Sequence, residues 1–389
     1  MATSGAFTIP LMKKVGYKPY FAGAVEAAAS TGGQIMPPVM GTGAFIMAEF
    51  LGMPYISIAA AAVLPAVLYF AAVYFQVDVR ARKIGLRGVP ESEIPSAKKT
   101  IMSYGHMFLP IFVLVWLLME QYTPLYAAFY SLLTTLVLSW FRKDTRLGPD
   151  RLIPMAVNSA RSCISLSVAM ASAGFIVAVL SMTGIGLILA DNIVALSRGS
   201  LFLTLILCMV VSIILGMGLP TSACYIIAAS IAIPILNKYN VPGLQAHMFV
   251  FYYSCLSTVT PPVALASYVA AGLCGASTNE VGWAAFKLAL AGFIVPFFFI
   301  YSPAMLLIAD SNLAIAWGAI TGLIGALLLA IAVEGYLYRP ISVFLRVLFF
   351  VAALTLIHPG LWTDAIGFAL GLGGLAYVYL GQKKITIAS

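Results

Sequence analysis

The chain has 389 residues, of which 62% are hydrophobic and 9% are charged, and its formal net charge at pH 7 is +8. A chain this apolar is typical of a protein that crosses a membrane many times, not of a soluble enzyme. The basic residues lie in short links between apolar runs, so we interpret them as orientation signals and exclude a nucleic-acid partner.

The chain begins with an apolar pattern that is interrupted near its middle. Residues 1–20 are too short to cross a bilayer, which takes about 20 apolar residues, so we expect them to be the tail of a re-entrant hairpin. The next run, 20–50, contains Pro37 and Pro38, which should break its helix because proline lacks a backbone donor. Irregular backbone at membrane depth is tolerated only where it is buried in protein or lines a cavity. The chain then returns across the membrane over 53–77.

The middle of the chain alternates basic links with apolar spans. The link 78–100 is the longest polar stretch, and the positive-inside rule places it in the cytoplasm. Two spans, 105–120 and 124–141, lead to a second basic link over 142–151. The following apolar run, 158–196, is too long for one comfortable span, so one tilted helix and two short helices both remain open.

A second broken region follows, with a hairpin over 216–240 and a broken helix over 244–275. Its helix-disrupting residues are Gly216, Gly218 and Pro220 in the hairpin, and Pro261 and Pro262 in the broken helix. Further spans are expected at 283–308, 311–333, 341–357 and 361–381.

The two broken regions are related by a constant offset. The run Pro-Pro-Val occurs at 37–39 and again at 261–263, and Ile-Pro occurs at 9–10 and again at 233–234, so both pairs are equally far apart along the chain. This spacing predicts an internal repeat, as in transporters that are built from two related halves. If 158–196 is two helices, the first hairpin opens to the cytoplasm and the second to the opposite face, and the repeat is inverted.

Hydroxyl and amide side chains cluster at the predicted breaks. They are Ser30, Thr31 and Gln34 in the first repeat, and Thr221, Ser222, Ser257, Thr258 and Thr260 in the second. A dehydrated sodium ion needs roughly five or six oxygen ligands, which unwound carbonyls and hydroxyls provide. The alternative is that these hydroxyls bond to the carbonyls of their own helices. Glu26 lies at membrane depth, and both a structural and a functional role remain open for it.

The motifs at these breaks resemble the membrane permeases of the TRAP (tripartite, ATP-independent, periplasmic) transporters, of the fused 4TM/12TM type. The matching runs are EAAASTGGQIMPPVMG at 26–41, FIMAEFLGMPY at 45–55, LGMGLPTSACY at 215–225, TPPVALASY at 260–268 and GFIVPFFFIYSPAML at 292–306. The paired Pro-Pro motifs are specific in combination, whereas either one alone is weak.

The resemblance implies an all-α, elevator-type secondary importer in the bacterial inner membrane. It implies sodium as the coupling ion, a small organic acid such as a dicarboxylate as substrate, and delivery by a periplasmic binding protein. Family members carry further spans upstream of the position of Met1, so a split gene, a fragment and a decayed reading frame all remain open, and a split gene would make a separately encoded N-terminal permease part a partner. The ion and substrate site carried over to this sequence comprises Ser30, Thr31, Gly32, Gly33, Gln34, Pro37, Pro38, Gly218, Pro220, Thr221, Ser222, Ser257, Thr258, Thr260, Pro261 and Pro262.

On this interpretation the chain divides into four regions. They are 1–77 (first-repeat part of the transport domain), 78–156 (basic linker and scaffold spans), 157–308 (second-repeat transport region) and 309–389 (C-terminal spans). An intramembrane enzyme is disfavoured because no HExxH motif and no nucleophile with its base is present. We expect no cofactor and no metal site besides sodium. An uncoupled channel or a non-transporting scaffold subunit remains the alternative.

Overall fold

The computed structural model of the protein describes residues 2–86, 88, 94, 96–141, 145–308, 311–358 and 360–388. It confirms the all-α polytopic class. Within the described residues, five helical stretches are long and apolar enough to cross a membrane: Tyr55–Lys83, Ala97–Met119, Thr278–Tyr301, Asn312–Glu334 and Leu361–Leu380. Many of the other helices are short because glycines and prolines interrupt them.

The helices are numbered in chain order. Those up to the long middle helix are α1 Ala2–Val15, α2 Pro19–Gly32, α3 Thr42–Leu51, α4 Tyr55–Lys83, α5 Ala97–Tyr104, α6 Leu109–Met119, α7 Pro124–Ser139 and α8 Pro149–Thr183. Those that follow are α9 Ile185–Leu196, α10 Leu201–Gly216, α11 Thr221–Asn237, α12 Gly243–Leu256, α13 Leu265–Cys274, α14 Thr278–Leu288, α15 Leu290–Tyr301, α16 Asn312–Glu334, α17 Val343–Ile357 and α18 Leu361–Ala388. A two-residue ladder, β1 Tyr336–Leu337 with β2 Arg339–Pro340, joins α16 to α17.

Two proposed region boundaries lie inside helices of the structure, and the division into regions stays a prediction. The proposed boundary at 77–78 falls inside α4, because Arg80, Arg82 and Lys83 are good helix formers and cations favour the last turn of a helix. The boundary at 156–157 likewise falls inside α8. Three of the basic residues predicted for the links, Arg87, Arg142 and Lys143, lie outside the described residues.

The second hairpin is longer than predicted. Its first arm is α10, which ends at Gly216, so the predicted hairpin over 216–240 covers only the tip and the second arm. The apolar run 158–196 consists of two helices, α8 and α9, which meet at Gly184 in the left-handed conformation. This is the arrangement for which the sequence predicts inverted repeats.

The internal repeat is present in the helix boundaries. Helix α2 spans 19–32 and helix α12 spans 243–256, so both ends keep the offset that separates Pro37 from Pro261. Each is followed by a cis Pro-Pro bond and then by a ten-residue helix, α3 or α13.

The two broken helices run in opposite directions. Lys13, at the end of α1, donates to the carbonyl oxygen of Cys274 at 3.2 Å, so the start of the first broken helix lies beside the end of the second. At the other end Leu51 lies against Gly243, because a Cβ added at that glycine would come within 3.1 Å of the leucine Cδ2. The repeat is therefore inverted.

The last three helices pack on the first repeat through α4. Gly322 of α16 allows close approach, since an added Cβ would lie 3.0 Å from the side chain of Leu68. At the basic end of the bundle Arg80 pairs with Glu334 at 3.2 Å, and Lys83 donates to the Glu334 carbonyl at 2.5 Å. These contacts fix α16 against α4 from Leu68 to Lys83.

Candidate functional site

The first break, between α2 and α3, is a loop with fixed internal hydrogen bonds. The N–H of Gly41 donates to the Gln34 carbonyl at 2.7 Å, which brings the two ends of the loop together. The Tyr55 hydroxyl lies 2.8 Å from the carbonyl oxygens of both Pro38 and Val39. Freed carbonyls at membrane depth need a donor, and here α4 supplies it.

The Tyr55 hydroxyl should therefore matter for stability. We expect Tyr55→Phe to reduce the free energy of unfolding by about 1–2 kcal/mol, because it leaves the carbonyls of the loop without their donor. Thermal unfolding in detergent measures this. Tyr74→Phe, which removes an exposed hydroxyl from the same helix, is the control. Equal melting temperatures of the two variants would contradict the assigned role.

The hydroxyls of the second break bond first to their own helix. Each donates to a carbonyl of the preceding turn: Ser257 to Ser254 at 2.9 Å, Thr258 to Cys255 at 2.7 Å and Thr260 to Leu256 at 2.7 Å. The alternative, that these hydroxyls bond to carbonyls of their own helix, is therefore correct for the hydrogen bonds that they donate. A hydroxyl that donates its proton still has oxygen lone pairs available to accept a bond or to ligate a cation.

The tip of the second hairpin packs directly on this break. The Ser257 hydroxyl lies 3.3 Å from the carbonyl oxygen of Gly216, the last residue of α10. Gly218 at the tip has φ +83°, a conformation that favours glycine. Helix α11 then begins at Thr221, and its first helical hydrogen bond is made by the N–H of Cys224 to the carbonyl of Pro220. The N–H groups before Cys224 thus form a positive helix end at the tip.

A cavity of about 430 Å³ lies between the two broken helices. Its polar lining comes from both repeats: Ser30, Thr31 and Gln34 from the first and Thr258 from the second. The hydroxyl oxygens of Thr31 and Thr258 are 3.3 Å apart, so the two breaks meet at this point. The cavity offers hydroxyl and amide oxygens without a full charge, which is the ligand set expected for a monovalent cation.

Glu26 connects helices α1 and α2 beside this cavity. Its carboxyl oxygens accept from the hydroxyls of Ser4 at 2.5 Å, Thr8 at 2.5 Å and Ser30 at 3.2 Å. The side chain is 5% exposed. Of the two roles open for Glu26, the structural one is thus present, and Ser30 links it to the wall of the cavity.

The structure divides the predicted site residues into three groups. Those that line the central cavity are Ser30, Thr31, Gln34 and Thr258. Those at the hairpin tip and its contact with the second break are Gly218, Pro220, Thr221, Ser222 and Ser257. The rest shape the two loops without lining the central cavity: Gly32, Gly33, Pro37, Pro38, Thr260, Pro261 and Pro262.

Two residues that the sequence motifs did not indicate lie beside the loops. Tyr55 holds the first loop, and Asn279, at the corresponding position of the second repeat, lines a cavity of about 120 Å³ beside Pro261 and Pro262. The repeat offset itself is the signal that would have paired them. Each break therefore lies beside the start of the next long helical stretch, which is α4 for the first break and α14 for the second.

The region that contains the breaks matches a known family. The family model described as "Tripartite ATP-independent periplasmic transporter, DctM component" matches residues 1–313, which include both broken helices and the complete second hairpin. The match ends at the start of α16, so the last three helices lie beyond it. A search of the curated proteins finds no match. The resemblance inferred from the Pro-Pro motifs is thereby confirmed, while the fused 4TM/12TM subtype stays a prediction.

Proposed function

Since the chain belongs to the DctM component family of the tripartite ATP-independent periplasmic transporters, it is a permease component, and we propose that it imports small organic acids by coupling to sodium. The observation that carries this proposal is the cavity where Thr31 and Thr258 bring the two inverted repeats together. Inverted repeats with a shared site near the middle of the membrane are the architecture of alternating access.

Sodium is the coupling ion that this site favours. The cavity wall has hydroxyl and amide oxygens, which are hard ligands for a monovalent ion. Groups of three or more His, Cys, Asp or Glu side chains, which a transition metal would need, do not occur among the described residues.

An acidic substrate is supported by the hairpin tip. The amide groups at the start of α11 carry the positive end of the helix dipole, and the tip touches the second break through Ser257. A carboxylate held there would lie next to the ion site. We propose that the substrate is a dicarboxylate-like acid, that a periplasmic binding protein delivers it, and that the hairpin regions move as an elevator.

The arrangement of charges supports an orientation of the chain in the membrane, which we propose to be the bacterial inner membrane. Lys13, Arg80, Lys83 and Arg346 all lie at one end of the bundle, where they contact Cys274, Glu334 or the end of α16. By the positive-inside rule this end faces the cytoplasm. The first hairpin then opens to the cytoplasm and the second to the periplasm.

Uptake into proteoliposomes tests the proposal. With the cognate binding protein present, we expect labelled organic acid to accumulate only under an inward sodium gradient. Thr258→Val should raise the sodium concentration needed for half-maximal uptake roughly tenfold, because one hydroxyl ligand is lost. Thr321→Val is the matched control, since that buried hydroxyl also donates to its own helix, at Trp317, but lies in α16. Uptake without any ion gradient would favour an uncoupled channel and contradict the proposal.

A further inference from the structure

A cleft separates α15 from α17, the middle helix of the C-terminal region that the family model does not cover. Two cavities lie along it, of about 390 Å³ at the basic end and about 590 Å³ towards the other end, and Phe350 lines both. Each is within the size range of ligand pockets. The cleft therefore runs along most of the facing lengths of the two helices.

The walls of the cleft are apolar and face outward. At the basic end they include Leu290 of α15 and Val343 and Val347 of α17, and these two valines are 74% and 57% exposed. In a membrane-spanning chain, exposed valines on a helix face contact lipid. An elongated apolar slot on this face therefore has the right chemistry for an acyl chain.

Two cations stand at the mouth of the basic-end cavity. Lys287 is exposed and has no hydrogen-bond or ion-pair partner in the part of the chain that the structure describes. Arg346 uses Nε and Nη2 to bond the carbonyls of Ala332 and Val333, both at 2.9 Å, which leaves its other N–H donors free. Because neither cation is neutralised by the cavity wall, the mouth is complementary to an anion.

The nearby acids do not cancel this charge. Glu334 is paired with Arg80 at 3.2 Å. Glu280 precedes Lys287 on α14 by about two turns, which is roughly 10 Å along the helix axis. Acidic side chains are absent from the described lining of the cavity.

We propose that this cleft binds an anionic phospholipid. Its phosphate lies between Lys287 and Arg346, and one acyl chain follows Leu290, Val347 and Phe350. Basic pockets between transmembrane helices at the cytoplasmic side are the sites where acidic lipid head groups bind. The lipid fills the gap between α15 and α17, and so joins the second-repeat region to the C-terminal region. The site does not depend on which acid is transported.

Lipid retention by the full-length chain tests the proposal. The purified protein is mixed with phosphatidylglycerol or with phosphatidylcholine of the same acyl chains, and bound lipid is counted by native mass spectrometry. We expect the wild type to retain phosphatidylglycerol preferentially. Lys287→Gln should weaken that binding about fivefold, which corresponds to one surface cation near an anionic lipid. The control Lys18→Gln removes an exposed charge from the same end and should leave the preference unchanged.

A second variant distinguishes the contribution of the acyl-chain slot from that of the two cations. Val347→Trp fills the slot while both cations stay, and we expect it to lose retention of phosphatidylglycerol although its thermal unfolding remains cooperative. Equal retention by Lys287→Gln and Lys18→Gln would overturn the proposal. Equal binding of the two lipids would also overturn it, because such binding needs no cations at the mouth of the cavity. Displacement of phosphatidylglycerol by inorganic phosphate alone would overturn it as well, because such a site needs no slot for an acyl chain.

Discussion

Replacement of Glu26 by leucine is expected to lower the free energy of unfolding by about 3 kcal/mol and to abolish transport. The variant removes the acceptor of the hydroxyl groups of Ser4, Thr8 and Ser30. A hydrogen bond to a carboxylate contributes about 1.5–3 kcal/mol, and a donor left without a partner inside the protein costs a similar amount. Because two of these donors lie on α1, the hairpin arm should also detach from α2.

The amide variant distinguishes hydrogen bonding from charge. Glu26→Gln keeps an acceptor oxygen and nearly the same volume, so we expect it to recover much of the stability that Glu26→Leu loses. Thermal unfolding and proteoliposome uptake are measured for both variants. Glu49→Leu is the control, because it makes the same change on the exposed side of α3. If Glu26→Leu unfolds at the wild-type temperature, the carboxyl group does not hold the hairpin arm.

The interruptions of the helices could be predicted because they depend on local chemistry. Pro37-Pro38 and Pro261-Pro262 each remove two successive backbone donors, so the breaks and their spacing follow from the residue types. For the same reason the constant offset between the two Pro-Pro runs predicts the repeat, which the ends of α2 and α12 then reproduce. Local rules were sufficient here.

The partners of the breaks could not be predicted, because they come from distant parts of the chain. Tyr55 lies near the start of α4, where an aromatic residue is ordinarily interpreted as part of the membrane interface. Its contact with the Pro38 carbonyl depends on how α4 packs against the loop. The bonds from Ser4 and Thr8 to Glu26 likewise cross between two helices. Short-range patterns carry no information on such contacts.

The ends of the helices beside the basic links could not be predicted, for a different reason. Positive charge indicates which end of a helix faces the cytoplasm, but it does not indicate where the helix stops. Arg80 and Lys83 continue α4 because both bond to Glu334, the last residue of α16, which packs beside them. A polar composition was thus interpreted as a loop where tertiary contacts extend a helix.

Alanine at Gly32 is expected to disturb the centre of the molecule through Tyr69. A Cβ added at Gly32 would lie 2.5 Å from Cε1 of Tyr69, a buried ring whose hydroxyl donates to the Ala28 carbonyl at 2.8 Å. The ring has no space to retreat, because a Cβ at Gly292 on its other side would lie at 2.9 Å. Overpacking of this kind costs about 1–3 kcal/mol, to which the loss of the hydroxyl bond adds about 1 kcal/mol.

A double-mutant cycle tests whether the clash is the cause. Tyr69→Leu removes the ring atoms that the new methyl group meets, so Gly32→Ala should cost much less in that background, with a coupling of about 1–3 kcal/mol. Gly318→Ala is the control, and it should raise the free energy of unfolding. Its added Cβ meets nothing within 4 Å in α16, and the higher helix propensity of alanine should stabilise the protein by up to about 1 kcal/mol. Additive effects of Gly32→Ala and Tyr69→Leu would show that the two residues do not compete for the same space. Coupling between them would mean that the close packing of α2 against α4 positions Thr31, which precedes Gly32 in the chain and lines the cavity.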